Sequence, residues 1–183
     1  MEITPGTDPP RERVREGETM GASVAYVITV SDRGYKGTRE DTSGPLAVAA
    51  LREAGFHCPD PVVIPDGIDS VTNAIRDAIA EGTRVIFTTG GTGVTDRDLT
   101  PEATRTFIER ELVGVETQIL LEGLKKTPMA GLSRGLVGVG GKTVFINAPG
   151  SRGGVKDVLA VIIPLLPHLV EQLDGVAGAV HGE

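Results

Sequence analysis

The sequence predicts a three-layer α/β sandwich around a mostly parallel central sheet. Short β-branched runs recur at residues 24–30, 61–65 and 84–88, and an amphipathic helical stretch separates each from the next. Strands and helices alternating in this way form parallel crossovers, with the helices covering the sheet faces. Size agrees: 183 residues, 39% of them hydrophobic, suit a single domain whose core needs no covalent staple.

Residues 1–21 mix Pro5, Pro9 and Pro10 with Arg11, Glu12, Arg13, Arg15, Glu16 and Glu18, without an apolar period. They are expected to form a disordered arm, having little to bury against the entropy of ordering. The folded domain is expected over residues 22–175, and a flexible tail over 176–183. Its first strand, Val24-Ala25-Tyr26-Val27-Ile28-Thr29-Val30, is almost continuously apolar, as a strand covered on both faces must be. After a turn-rich segment, Pro45 occupies a first helical position, with Leu46, Ala49, Ala50 and Leu51 expected on the buried face and Gly55 as the stop. Val62-Val63-Ile64 forms a second strand between two prolines. Ser70 is expected to cap a helix carrying Val71, Ala74, Ile75, Ala78 and Ile79 and closed by Gly82. The third strand, Arg84-Val85-Ile86-Phe87-Thr88, follows. Thr100 is the expected cap of a helix opening on Pro101 and Glu102, and another helix is expected over about 115–124. Residues 136–139 and 143–146 read as a hairpin around Gly140-Gly141. A last helix follows Gly153-Gly154 and should break near Pro164.

Composition excludes several function classes. Eighteen Lys and Arg against 25 Asp and Glu leave a formal charge of −7, which argues against duplex nucleic-acid binding. Aromatic residues are only 3% and Trp is absent, so base-stacking platforms are not expected. The single Cys58 rules out an intrachain disulfide framework. His57, His168 and His181 lack zinc-ligand spacing, and Ser133 lacks the G-x-S-x-G frame of a hydrolase. Met129 and the Ile119, Leu120, Leu121, Leu124 cluster read as core or as an oligomer face. No apolar run reaches the length of a membrane span and no signal peptide is visible, so a cytoplasmic location is expected.

In an open α/β sheet, ligands bind beyond the carboxyl ends of the strands. Four loops of unusual composition fall there: Ser31-Asp32-Arg33-Gly34; Asp66-Gly67; Thr89-Gly90-Gly91-Thr92-Gly93 with the residues to Asp98; and Asn147-Ala148-Pro149-Gly150-Ser151. Glycines let the backbone approach a ligand and aim amides at an anion. The third loop is neither a Walker A loop nor G-x-G-x-x-G, because Asp96 stands where the last glycine of the latter belongs. Asp98 and Asp66 offer hard oxygens to Mg²⁺ carried by a polyphosphate, although turn or cap duty also suits an aspartate there. From the residues alone, the chain is an α/β domain that binds a phosphorylated small molecule.

Thr89-Gly90-Gly91-Thr92-Gly93 with Arg97-Asp98-Leu99-Thr100-Pro101-Glu102-Ala103 resembles the signature of the MogA/MoaB family of molybdenum-cofactor biosynthesis proteins, which includes the gephyrin G domain. The likeness continues through Ser31-Asp32-Arg33, Asp41-Thr42-Ser43-Gly44-Pro45, Ile64-Pro65-Asp66, Leu132-Ser133-Arg134-Gly135, Gly141-Lys142-Thr143 and Pro149-Gly150-Ser151, spanning about residues 23–175. The resemblance implies the family's molybdopterin-binding fold, a homotrimer, and Mg²⁺- and ATP-dependent adenylylation of molybdopterin with release of pyrophosphate. The product would pass to a MoeA-like molybdate-insertion protein. It also implies that Asp66 and Asp98 are the catalytic, metal-holding acids. Ser31, Asp32, Thr89, Gly90, Gly91, Thr92, Gly93, Arg97, Ser133, Pro149, Gly150 and Ser151 would bind substrate. The alternative is a MoaB-like pterin carrier that consumes no ATP. A generic nucleotide-binding domain is a third reading, against which the missing Walker and Rossmann fingerprints count.

Overall fold

The structure, a computed structural model, describes residues 23–175. The expected arm at 1–21 and tail at 176–183 lie outside the described residues. Six strands form one sheet in the order β2-β1-β3-β6-β5-β4. Strands β1 (Ala25–Val30), β2 (Val62–Ile64), β3 (Val85–Thr89) and β6 (Thr143–Ala148) run parallel. β5 (Val137–Gly140) and β4 (Arg110–Glu111) are antiparallel additions, and β5 and β6 make the expected hairpin.

The central strands β3 and β6 are buried along their whole length, which is why their sequences are apolar runs rather than alternations. Alternate side chains feed two cores. Val27, Phe87 and Ile146 point into one, closed by α2 (Gly44–Glu53), α6 (Arg152–Ile162) and α7 (Leu166–Leu173). Ile28, Ile86 and Phe145 point into the other, closed by α3 (Ile68–Ala80) and Ala103 of α4 (Thr100–Arg105). Two short helical segments, α1 (Asp32–Tyr35) and a 3₁₀ turn (Pro128–Leu132), and the longer α5 (Val113–Leu124) complete the chain. The bend between α6 and α7 is 58°, at the Pro164 break. Among the described residues no single helix is long and apolar enough to cross a membrane.

Some local expectations are corrected. Helix α2 buries Ala47, Val48 and Leu51, whereas Ala49 faces solvent and Leu46 and Ala50 are half-buried. Ser70 does not cap α3: the helix starts two residues earlier, after Gly67, and the Ser70 hydroxyl donates to the Pro65 and Gly67 carbonyls at 2.7 and 2.9 Å. Ile79, expected on the buried face of that helix, is exposed. Thr100 is the first residue of α4 rather than its cap, and its buried hydroxyl has no hydrogen-bond partner. Of the residues expected as core or as an oligomer face, Leu120, Leu121, Leu124 and Met129 are exposed, which removes the core alternative for them, and Ile119 is half-buried.

From β1 the chain crosses through α2 to β2 on one side; from β2 it crosses back over the opposite face, through α3, to β3 on the other side. The loops after β1 and β3 therefore diverge at their carboxyl ends and leave a crevice between them.

Candidate functional site

A cleft of about 1240 Å³ opens at that crevice, lined by the loops after β1, β2, β3 and β6 and by α5 and the 3₁₀ turn. All fourteen residues singled out in the sequence line it: Ser31, Asp32, Asp66, Thr89, Gly90, Gly91, Thr92, Gly93, Arg97, Asp98, Ser133, Pro149, Gly150 and Ser151.

The glycine loop leaves β3 through two residues with positive φ, Gly90 at 101° and Gly91 at 63°. A Cβ on Gly90 would lie 2.2 Å from the Val30 carbonyl oxygen, so β1 and the loop are packed backbone to backbone. The loop is pinned at both ends. The Gly90 amide donates to the Ala148 carbonyl at 3.0 Å, and the Thr100 amide donates to the Gly91 carbonyl at 3.1 Å. The Thr89 hydroxyl donates to the Pro149 carbonyl at 2.9 Å, joining the glycine loop to the β6–α6 loop.

Asp32 and Asp66, at neighbouring strand ends, cap each other. The Asp32 amide donates to Asp66 Oδ2 at 2.7 Å and the Asp66 amide to Asp32 Oδ1 at 3.2 Å. Arg97 reaches across from the glycine loop, pairing with Asp32 Oδ2 at 2.8 Å and donating to the Asp66 carbonyl at 3.3 Å. Asp98 has a different environment. Its Oδ2 accepts from the Thr95 amide at 2.9 Å and the Thr95 hydroxyl at 2.7 Å, closing a four-residue turn. Burial pushes its carboxyl up, but the Thr95 and Gly93 hydrogen bonds and the charge of Arg134 outweigh this and hold it below the usual carboxylate range. Asp98 therefore shapes its loop as well as facing the cleft.

Two contributors stand inside the quoted motifs but were given no role there. Arg134 spans the loop and also lines the cleft: Nε donates to the Gly93 carbonyl at 2.7 Å, Nη2 to the Asp98 carbonyl at 2.5 Å, and Nη1 pairs with Glu102. That hydrogen bond and charge hold Glu102 below its ordinary pKa. Asp41 accepts from the Ser43 and Gly44 amides, both at 3.0 Å, and from Thr29 Oγ1 at 2.7 Å, fixing the start of α2. Ser43 in turn donates to the Gly150 carbonyl at 3.0 Å. Their own places in the Leu132-Ser133-Arg134-Gly135 and Asp41-Thr42-Ser43-Gly44-Pro45 motifs were the available signal.

The amide-rich loop and the start of α6, capped by the Ser151 hydroxyl at 3.1 Å from Gly154 N, suit phosphate oxygens. The donor set also suits Mg²⁺ arriving with a polyphosphate. Asp66 Oδ1 accepts no hydrogen bond from the described residues, and no cluster of three His, Cys, Asp or Glu forms a resident metal cage among them.

A sequence family described as "Probable molybdopterin binding domain" matches residues 26–168. The Drosophila melanogaster "Molybdenum cofactor synthesis protein cinnamon" is 42% identical over 147 residues, covering 79% of this chain and 24% of its own length. The chain thus spans between about a fifth and a half of the first curated relatives it matches. The Pyrococcus furiosus "Molybdopterin adenylyltransferase" is 36% identical over 152 residues, 79% of this chain and 88% of that protein. A solved MogA structure superposes with a TM-score of 0.79 at 41% identity, covering 82% of this chain and 99% of that one.

Proposed function

Since the chain belongs to the MogA/MoaB family of molybdopterin-binding domains, we propose that it is a Mg²⁺- and ATP-dependent molybdopterin adenylyltransferase. The observation that carries the reading is convergence: Asp66 from the loop after β2, and Asp98, Arg97 and Gly91–Gly93 from the loop after β3, line one cleft at the switch point of the sheet.

In the proposed reaction a terminal phosphate oxygen of molybdopterin attacks the α-phosphorus of ATP. A new P–O bond forms to the adenylyl group, the α–β bridging bond breaks, and pyrophosphate leaves. The nucleophile is already an anion, so no general base is needed, and positioning with charge neutralisation supplies the catalysis. Asp66 and Asp98 are the residues that would hold Mg²⁺, which when bound neutralises charge on the leaving phosphates. The glycine-loop amides bind phosphate oxygens in a preorganised array. Arg97, fixed by Asp32, adds positive charge beside Asp66. Ser133 stands against Thr92, hydroxyl to hydroxyl at 3.3 Å, and with Pro149, Gly150 and Ser151 lines the same cleft.

The exposed Leu121 and Leu124 on α5 are assigned to a homotrimer contact, and a MoeA-like molybdate-insertion protein is the proposed recipient of the product. Transfer of label from α-phosphate-labelled ATP to molybdopterin tests the reading, with Asp66→Asn and Asp98→Asn beside it. Label transfer that both variants lose supports it; molybdopterin binding without any transfer favours the pterin carrier.

A further inference from the structure

Asp157 lies on α6 with its side chain 10% exposed, yet it lines the cleft. Its Oδ1 pairs with Lys126, just beyond α5, whose side chain is 57% exposed and also lines the cleft. Asp157 Oδ2 accepts no hydrogen bond from the described residues. A largely desolvated carboxylate with an idle oxygen is unfavourable until N–H donors reach it. Lys126 keeps further N–H donors beyond the one that Asp157 takes. The pair thus presents an acceptor and a donor side by side, in a wall that also holds Ile119, Leu120, Met129, Glu116, Thr117 and Thr127.

Position adds to this. Asp157 is six residues beyond Ser151 on the same helix, about 9 Å along its axis from the phosphate-suited loop. A phosphate ester joined to a fused heterocycle has that span. The edge complementary to a carboxylate beside an ammonium carries two adjacent N–H donors and then a carbonyl oxygen. A carboxylate takes two parallel N–H bonds well.

We propose that Asp157 and Lys126 form a recognition subsite for a 2-amino-4-oxopyrimidine edge, supplied by the pterin ring of the substrate. Asp157 accepts the amino and ring N–H groups, and Lys126 donates to the oxo group. This rests on the pterin-binding part of the proposed function. Guanine carries the same edge, whereas adenine offers a single amino donor there.

Equilibrium titrations of the full chain with molybdopterin, GMP and Mg-ATP test it, using Asp157→Asn and Lys126→Met. The subsite predicts that Asp157→Asn weakens molybdopterin binding tenfold or more, that Lys126→Met weakens it severalfold, and that Mg-ATP affinity holds in both. If Asp157→Asn fails to fold, the exposed Lys126→Met carries the test alone. Unchanged molybdopterin affinity in the folded variants would reduce the pair to a tie between helices and overturn the subsite only. GMP binding tighter than molybdopterin, with the same Asp157 dependence, would overturn the pterin assignment in favour of a guanine nucleotide. A wild-type chain that binds no pterin would overturn the functional reading as well.

Discussion

Gly91 and Thr100 should be energetically coupled, and a double-mutant cycle can show it. Gly91 has φ 63°, and a Cβ there would stand 2.3 Å from Thr100 Oγ1. Gly91→Ala therefore brings two penalties: about 1–2 kcal/mol for a left-handed alanine and about 1–3 kcal/mol for overpacking. Thr100→Ala removes the atom that is struck. That hydroxyl is buried and unpartnered, so its loss offsets the lost methyl contact, and the single variant should stay within about 1 kcal/mol of wild type. In the double variant the overpacking penalty disappears while the conformational one remains. Urea unfolding at neutral pH is the assay, and the expected coupling is about 1–3 kcal/mol in the rescuing direction. Additive losses would show that Thr100 is not what Gly91 makes room for, and the account of the loop's close packing would fail.

Other consequences are equally direct. Asn147 donates to Thr88 and Thr104 at 2.9 and 3.0 Å and accepts from the Leu136 amide at 3.2 Å, so Asn147→Leu should lose about 2–4 kcal/mol on thermal unfolding; a neutral result would mean the network is dispensable. Arg134→Met should lower kcat/KM at least tenfold while leaving the fold intact by circular dichroism, because it frees the Gly93 and Asp98 carbonyls from their clamp. Glu102 is held below its ordinary pKa when folded, so its ionised form stabilises the fold above the unfolded-state pKa and that contribution is lost as pH falls through the folded value. The stability gap between wild type and Glu102→Gln should therefore close below about pH 4; a gap unchanged in acid would contradict the Arg134 pairing. Burial pushes the Cys58 thiol up to about 11, so a disulfide reagent at pH 8 should modify it only after unfolding, and prompt native reaction would place it at the surface.

The sheet was legible in the sequence because its central strands are buried on both faces and so read as uninterrupted β-branched runs, as in Val85-Ile86-Phe87. β4 was not, since Arg110 and Glu111 are exposed and two residues make no period. The cap errors have one origin: a hydroxyl near a helix start signals a cap only if it turns to the helix amides. Ser70 turns to carbonyls and Thr100 is folded under the glycine loop, which local sequence does not reveal. The strand-end loops were legible because glycine and aspartate gather there and the topology rule says where they go. The clamp made by Arg134 was not, because its partner Gly93 is 41 residues away, and Asp157 was not, because one acid in a helix reads as a solvated residue until α5 is placed against it.

The proposed activity joins molybdopterin to an adenylyl group in this cleft. Pyrophosphate release from Mg-ATP, measured with and without molybdopterin, tests it most directly, with Asp98→Asn run in parallel. An adenylyltransferase should release pyrophosphate only when the pterin is present, and that release should collapse in the variant. Tight pterin binding with no pyrophosphate released, or release indifferent to Asp98, would contradict it.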